Sequence, residues 1–406
     1  MIGRVRSASS LLLVSSVLLT LSLPSCVTAQ DGGAWVLLNA EASQMVKSGT
    51  DSLYNMRYSA ADSIFTAMIA RDPQHPAGYF LLALVDWWRI VPNLDVTSKV
   101  DRYSKSFNNR IDKVLDACQE RLDRNPHDIV GLFFKGAALG YRARLVTSQG
   151  FTGSSLVEWA EAANLACEAY DIILTCQRLA PSNSDVLLGS GLMNYLAAAL
   201  PEKFPIARSV ITCLPPGDKK IGLTMLRLAG QKAVYSRTEA RYALVDNLMN
   251  IERNYGEALG TAQELFNEYP DNSAFHKAYA RCLYQVSNFA AADSVWSEIL
   301  RRIQARRPGY ELTFARQGLY MLGDCRLRSG DFALAVRLFD ESVKQARRMD
   351  DEESSWTANA LLREGNAYDK LGRRDEALRA YREVLALDNY TNTHANAKKY
   401  IEKPFQ

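Results

Sequence analysis

The sequence predicts an all-α fold, a superhelical solenoid of antiparallel helix pairs, and three observations carry that prediction. Small residues recur at a fixed internal spacing, a glycine or alanine followed twelve positions later by an alanine. Glycines and prolines punctuate the chain at the ends of these units, where helices stop. Apolar residues follow helical spacing, and nowhere does a strand-like alternation run at length.

Composition sets the frame. The chain has 406 residues, 48% hydrophobic and 23% charged, enough apolar material for a core along its whole length. Its formal net charge is +3, and Arg4 and Arg6 lie in a leader expected to be removed, so the mature chain is close to neutral. That balance gives no long-range attraction to nucleic acid or anionic lipid, and neither is expected as a partner.

The leader, residues 1–29, reads as an export signal. Arg4 and Arg6 form a basic start, and Leu11 to Leu23 is apolar but shorter than the ~20 residues that span a bilayer. Two processing sites fit. Val27-Thr28-Ala29 places small residues for cleavage before Gln30. Leu23-Pro24-Ser25-Cys26 resembles a lipobox, which makes Cys26 a candidate lipidation site and the only route to a membrane. The protein is expected to be exported, periplasmic or envelope-associated.

Residues 30–237 show the helix-pair pattern in degraded form. Gly49, Ala61, Phe65 and Pro73 stand at offsets 0, 12, 16 and 24. Pro126 and Pro181 have the look of pair-ending prolines, and Gly136 and Gly191 follow each by ten residues. Val91–Phe107, Thr147–Ser154 and Pro201–Gly217 read as insertions, the last too rich in proline for one helix.

Residues 238–406 repeat clearly and end in a C-terminal helix. Gly365, Tyr368, Gly372, Ala377 and Tyr381 stand at offsets 0, 3, 7, 12 and 16. Gly323, Gly330, Ala335 and Phe339 match at 0, 7, 12 and 16; Ala280, Ala292 and Trp296 at 0, 12 and 16; Asp246, Ala258 and Ala262 likewise. Antiparallel helices approach closely only where side chains are small. The aromatic at offset 16 fills the wedge between neighbours, and the glycine at offset 7 ends the first helix.

This pattern resembles the tetratricopeptide repeat, in which helix A and helix B pack antiparallel and successive pairs stack into a superhelix. The resemblance implies that helix A lines a concave face, with inward positions at offsets −3, +1 and +4. Applied here, it implies a partner-binding groove of Asn247, Asn250, Lys277, Arg281, Tyr284, Tyr320, Asp324, Leu327, Asn366 and Asp369, with Arg328 and Lys370 beside them. The family's clamp for chaperone tails is matched only in part, by Lys277, Arg281 and Arg363, and Met321 takes the place of an expected asparagine.

Chemistry is hard to find. His75, His127, His276 and His394 belong to no metal-binding spacing and read as solvated turn or helix-surface residues. No nucleophile elbow or phosphate loop occurs. The six cysteines after Cys26 form no C-x-x-C and read as core fillers. Of Trp87 and Trp88, adjacent on a helix, at most one is expected to be fully buried. Arg301-Arg302 and Arg306-Arg307 are kept as a candidate contact. The expectation is therefore a non-enzymatic scaffold of the cell envelope, without metal or cofactor, holding a protein or peptide partner in its groove. The second reading is a ligand-binding accessory protein of a transport system, with a deep apolar pocket under Pro201–Gly217.

Overall fold

Helix starts and stops follow local chemistry. Asn39, Asp218, Asn254, Asn272 and Asn288 each accept backbone N–H groups at a helix N-terminus through the side-chain oxygen. Gly330 and Gly372 have positive φ, 87° and 71°, and turn the chain between the helices of the last two pairs. The computed structural model describes residues 38–93, 97–150, 156–204, 207–211, 213–349 and 354–406. The leader, with Arg4, Arg6, Cys26 and the cleavage site before Gln30, lies outside the described residues.

The described residues fold into eight stacked helix pairs and a closing helix. They are α1 (Ala40–Tyr54) with α2 (Tyr58–Arg71), α3 (Pro76–Ile90) with α4 (Thr97–Arg124), and α5 (Ile129–Gly150) with α6 (Leu156–Leu179). Next, α7 (Val186–Lys203) is separated from its partner α9 (Lys219–Lys232) by the one-turn α8 (Ala207–Val210). There follow α10 (Arg237–Asn247) with α11 (Tyr255–Glu268), α12 (Ser273–Gln285) with α13 (Phe289–Gln304), α14 (Ala315–Ser329) with α15 (Phe332–Met349), and α16 (Ser355–Lys370) with α17 (Arg374–Ala386). Helix α18 (Thr393–Glu402) packs on the last pair. The fold class is the expected one.

The offsets explain the packing. Ala61, Ala258, Ala292, Ala335 and Ala377 are fully buried, as are the offset-16 aromatics Phe65, Trp296, Phe339 and Tyr381. A side chain at Gly323 would meet the Phe339 ring at 2.8 Å, and one at Gly365 would overlap the Tyr381 ring, so helix A is held flat against helix B there.

The N-terminal half departs from the sequence-based expectation in four places. Val91–Phe107 is mostly helix, the start of the 28-residue α4. The helix B partner of Gly191 is Gly222, on the far side of the proline-rich segment. A side chain at Gly222 would stand 2.7 Å from the Gly191 carbonyl oxygen. That segment is stapled, because Cys213 forms a disulfide with Cys167 on α6, Cα–Cα 6.0 Å. These two cysteines are therefore not core fillers. Cys118, Cys176, Cys282 and Cys325 are buried, and burial pushes their thiols up to about 11 or 12.

Trp87 and Trp88 are both fully buried, against expectation. The reason is that α3 is enclosed from both sides. Trp87 meets Phe107 and Tyr141, while Trp88 meets Tyr54, Tyr242 and Phe275. The superhelix closes on itself here. Glu239 of α10, 5% exposed, accepts hydrogen bonds from Tyr54 Oη (3.1 Å), Trp88 Nε1 (2.6 Å) and Tyr141 Oη (2.7 Å). Burial, reinforced by the Glu239 charge, pushes both phenols well above the usual tyrosine range. Asn272 donates to the Tyr54 carbonyl at 2.9 Å, and Gly309, in the connector after α13, sits against Met56. The first pair thus packs on the fifth and sixth.

Candidate functional site

Closure fills part of the inward face. Where the first two pairs meet the fifth and sixth, the inward face is filled by Tyr54, Trp88, Tyr242, Tyr269 and Phe275. An inward face with exposed polar groups persists along α10, α12, α14 and α16.

Helix α10 continues into a π-helical turn, Leu248–Glu252, ending at Arg253 with φ 54°. A π-helical turn adds a residue per turn and shifts the register of the residues after it. Asn247, expected in the groove, is buried at 5% exposure, while Asn250 is exposed. Asn250 donates to Asp246 at 2.7 Å and accepts from Arg281 of α12 at 3.0 Å. Lys277 lies 4.5 Å over the Phe314 ring and reaches the Pro92 carbonyl at 3.4 Å, so it is turned toward the closure rather than along the groove.

Asp324 is the centre of the next group. It is 1% exposed, and three cationic or phenolic groups converge on it. Tyr284 Oη of α12 donates to Oδ2 in a short bond, Arg328 Nε donates to Oδ2 at 2.6 Å, and Arg363 Nε of α16 lies 3.2 Å from Oδ1. Arg363 also lies beside Tyr320, which rests against Phe339 and Trp356. Burial pushes Tyr284 above the usual phenol range, helped by the carboxylate beside it. Arg328 is pushed up: burial alone would lower it, and the Asp324 hydrogen bond and charge outweigh that.

Asn366 and Asp369 serve the last pair instead. Tyr381 Oη donates to Asn366 Oδ1 at 3.0 Å and to Asp369 Oδ2 at 2.8 Å, and Arg374 pairs with Asp369 at 2.9 Å. The Phe405 backbone N–H adds a fourth bond at 2.9 Å. Leu327 is 7% exposed. The positions at offset +1 are thus buried at Asn247, Asp324 and Asn366, a correction to the expected open groove. Through Asp324, α14 bonds the neighbouring A helices α12 and α16.

Of the expected residues, Asn250 and Arg281 join one cross-repeat group with Asp246, and Tyr284, Asp324 and Arg328 join a second with Arg363 on the same face. Its solvent side consists of Asn250, Arg281, Arg328 and Lys370. Arg363 was reached from the sequence only through the clamp comparison; its bond to Asp324 spans two repeats and has no local signature.

Other expectations shift as well. His276 is not solvated. It is 1% exposed, stacks on Phe266 and contacts Tyr310 Oη through Nδ1 at 2.9 Å; burial, with Arg302 beside it, brings it down to about 3. Arg301 and Arg302 both pair with Glu298, while Arg306 and Arg307 are exposed. Among the described residues no group of three or more His, Cys, Asp or Glu is placed to hold a metal. The gap beneath the proline-rich segment, lined by Tyr170, Met193, Asn194 and Pro215, is about 10 Å³. That is room for about one water, not the deep apolar pocket a solute-binding role requires.

The family model for the tetratricopeptide repeat matches residues 315–389, which are α14 to α17. No curated protein matches the chain. Solved structures similar to it include the tetratricopeptide repeat domain of P58(IPK), 16% identical, covering 89% of each chain, TM-score 0.25. A tetratricopeptide repeat protein from Parabacteroides merdae is 12% identical over 89% of this chain and 98% of that one, TM-score 0.28. Yeast Tom70 is 12% identical over 89% and 95%, TM-score 0.27. The family's repeat is thus present in α14–α17, and the same small-residue helix pairing recurs in the first pair, where Gly49 lies against Phe65.

Proposed function

We propose that this chain is an exported, non-enzymatic scaffold of the cell envelope that holds a protein or peptide partner on the concave face of its last four helix pairs. One observation carries the reading. The face is closed by the chain's own aromatics where the first two pairs meet the fifth and sixth, yet from α10 to α16 it presents two ordered polar groups, and its outer side chains, Asn250, Arg281, Arg328 and Lys370, keep donors in solvent. Side chains held in place by their neighbours lose little freedom on binding.

Export is supported by the basic, apolar leader and by the Cys167–Cys213 cross-link, since disulfides persist in oxidising compartments. Among the described residues no helix is long and apolar enough to cross a membrane, so in this reading membrane attachment rests on Cys26 alone. Intact-mass measurement of protein from its native host is expected to show a chain beginning at Gln30 or at acylated Cys26. A mass retaining Met1 removes the export reading. For the groove, Asn250→Ala, Arg281→Ala and Arg328→Gln together are expected to weaken capture of the native partner by at least about tenfold, ~1.4 kcal/mol. Wild-type capture by the triple variant defeats the reading.

A further inference from the structure

The charges along this face are sorted by depth. Its carboxylates lie underneath. Asp324 is 1% exposed, and the Asp369 side chain is fully buried and already bonded to Tyr381, Arg374 and the Phe405 amide. Its cations lie on top. Arg328 and Arg363 share the single Asp324 carboxylate, with 42% and 29% of their side chains in solvent. Two guanidinium groups on one carboxylate leave a positive charge at a half-exposed site, where a further anion is attracted more strongly than in open water.

The site is also rigid. Arg328 is fixed by Asp324 on one side and by stacking over Phe289, 4.7 Å, and Tyr284, 5.7 Å, on the other. Nε of both arginines is directed at Asp324 and Arg328 Nη2 donates to Tyr284 Oη at 3.4 Å, which leaves the remaining Nη hydrogens for carboxylate oxygens. Lys370, held over Phe332, extends the positive strip at one end. At the other end Arg281 gives its guanidinium to the neutral amide oxygen of Asn250, and among the described residues it forms no ion pair. The opposing charge at that end is Asp246, which is half-buried and accepts from Asn250.

Building on the groove reading, we propose that the concave face of the last three pairs selects an acidic segment, a stretch of peptide carrying consecutive Asp or Glu residues beside an apolar side chain. The carboxylates would engage Arg328 and Arg363, and the apolar group would rest on the half-buried rings of Tyr284 and Tyr320. A polynucleotide fits less well. The whole chain carries a formal charge of only +3, which gives little counterion release on a phosphate backbone.

The test uses short fluorescein-labelled peptides that share the same Leu and Phe positions and differ in having Glu, Gln or Lys between them, with labelled oligothymidylate alongside. Fluorescence anisotropy at low salt is expected to show the Glu peptide binding at least about tenfold tighter than the Gln peptide, with the Lys peptide weakest. Arg328→Gln with Arg363→Gln should abolish that preference. The charge-conserving pair Arg328→Lys with Arg363→Lys, whose melting temperature verifies folding, should keep it. If the Gln or Lys peptide binds as tightly as the Glu peptide and depends on Arg281, the acidic inference falls while the groove reading stands. If none of the peptides binds, or oligothymidylate binds tightest, the acidic inference falls, and the groove reading is then decided by the partner-capture experiment alone.

Discussion

Trp88 and Glu239, 151 positions apart in sequence, are joined by an indole N–H to carboxylate hydrogen bond of 2.6 Å. With Tyr54 and Tyr141 on the same carboxylate, one side chain ties α1, α3 and α5 to α10. Removing it orphans three buried donors at once, each costing about 1–3 kcal/mol. Glu239→Ala is expected to destabilise the protein by roughly 3–5 kcal/mol. Hydrogen exchange should then show protection lost together in α1, α3, α5 and α10, and loss confined to α10 would contradict the hub.

The far end behaves differently. Tyr381 is fully buried between α16 and α17, and its neighbours are Asn366, Asp369 and Tyr400 of the adjoining elements. Tyr381→Ala is expected to cost roughly 3–5 kcal/mol, as for other large buried aromatics. Because solenoid contacts are between neighbours, exchange should accelerate in α16 to α18 well before α1 to α13. Uniform acceleration along the chain would refute this.

Glu364 supplies a pH dependence. Burial pushes its carboxyl up to about 7, reinforced by the nearby Asp340 charge. In the unfolded chain the same group titrates near 4.5. Between those values the folded state binds the extra proton, so stability falls as pH rises from about 4.5 to about 7 and the full penalty is present above. Glu364→Gln should therefore stabilise the protein at pH 8 by up to about 3 kcal/mol, with the gain vanishing below about pH 4.5. Thermal melts of both proteins across this range give the answer, and a gain that grows on acidification would reverse the assignment.

The Cys167–Cys213 disulfide closes a separation of 46 residues around α7. Its loss is expected to cost about 2–4 kcal/mol and to loosen the proline-rich segment. Replacing both cysteines by serine, followed by limited proteolysis, should open a cleavage site within 201–217. An unchanged digestion pattern under reducing and oxidising conditions would show that the cross-link does not hold the segment.

The helix pairs were legible because the offset pattern is local. Gly365 and Tyr381 are one interaction written sixteen residues apart, and so are Gly323 and Phe339. The middle was harder. Gly222 answers Gly191 across 31 positions, beyond any fixed repeat offset. The double burial of Trp87 and Trp88 was hidden for a related reason. A helical period says which residues share a side, but α3 is enclosed by elements from both ends of the chain, and nothing in the VDWWRI segment records that. The candidate site was half legible. Positions such as Arg281, Tyr284 and Asp324 do gather on one face. Whether a side chain there faces solvent or a neighbour depends on packing the local pattern does not record: successive A helices close over Asp324, and Tyr381 of helix B takes Asn366.

The seating of Gly309 against Met56 fixes the number of units between them. An open array grows or shrinks by duplicating or deleting a unit, because each touches only the next. Here a unit gained or lost between α1 and α13 would carry Tyr54 and Met56 out of register with Asn272 and Gly309. Gains and losses after α14 leave that closure untouched. The closure thus leaves the end after α14 as the place where a unit could be added without disturbing the part that holds the molecule shut.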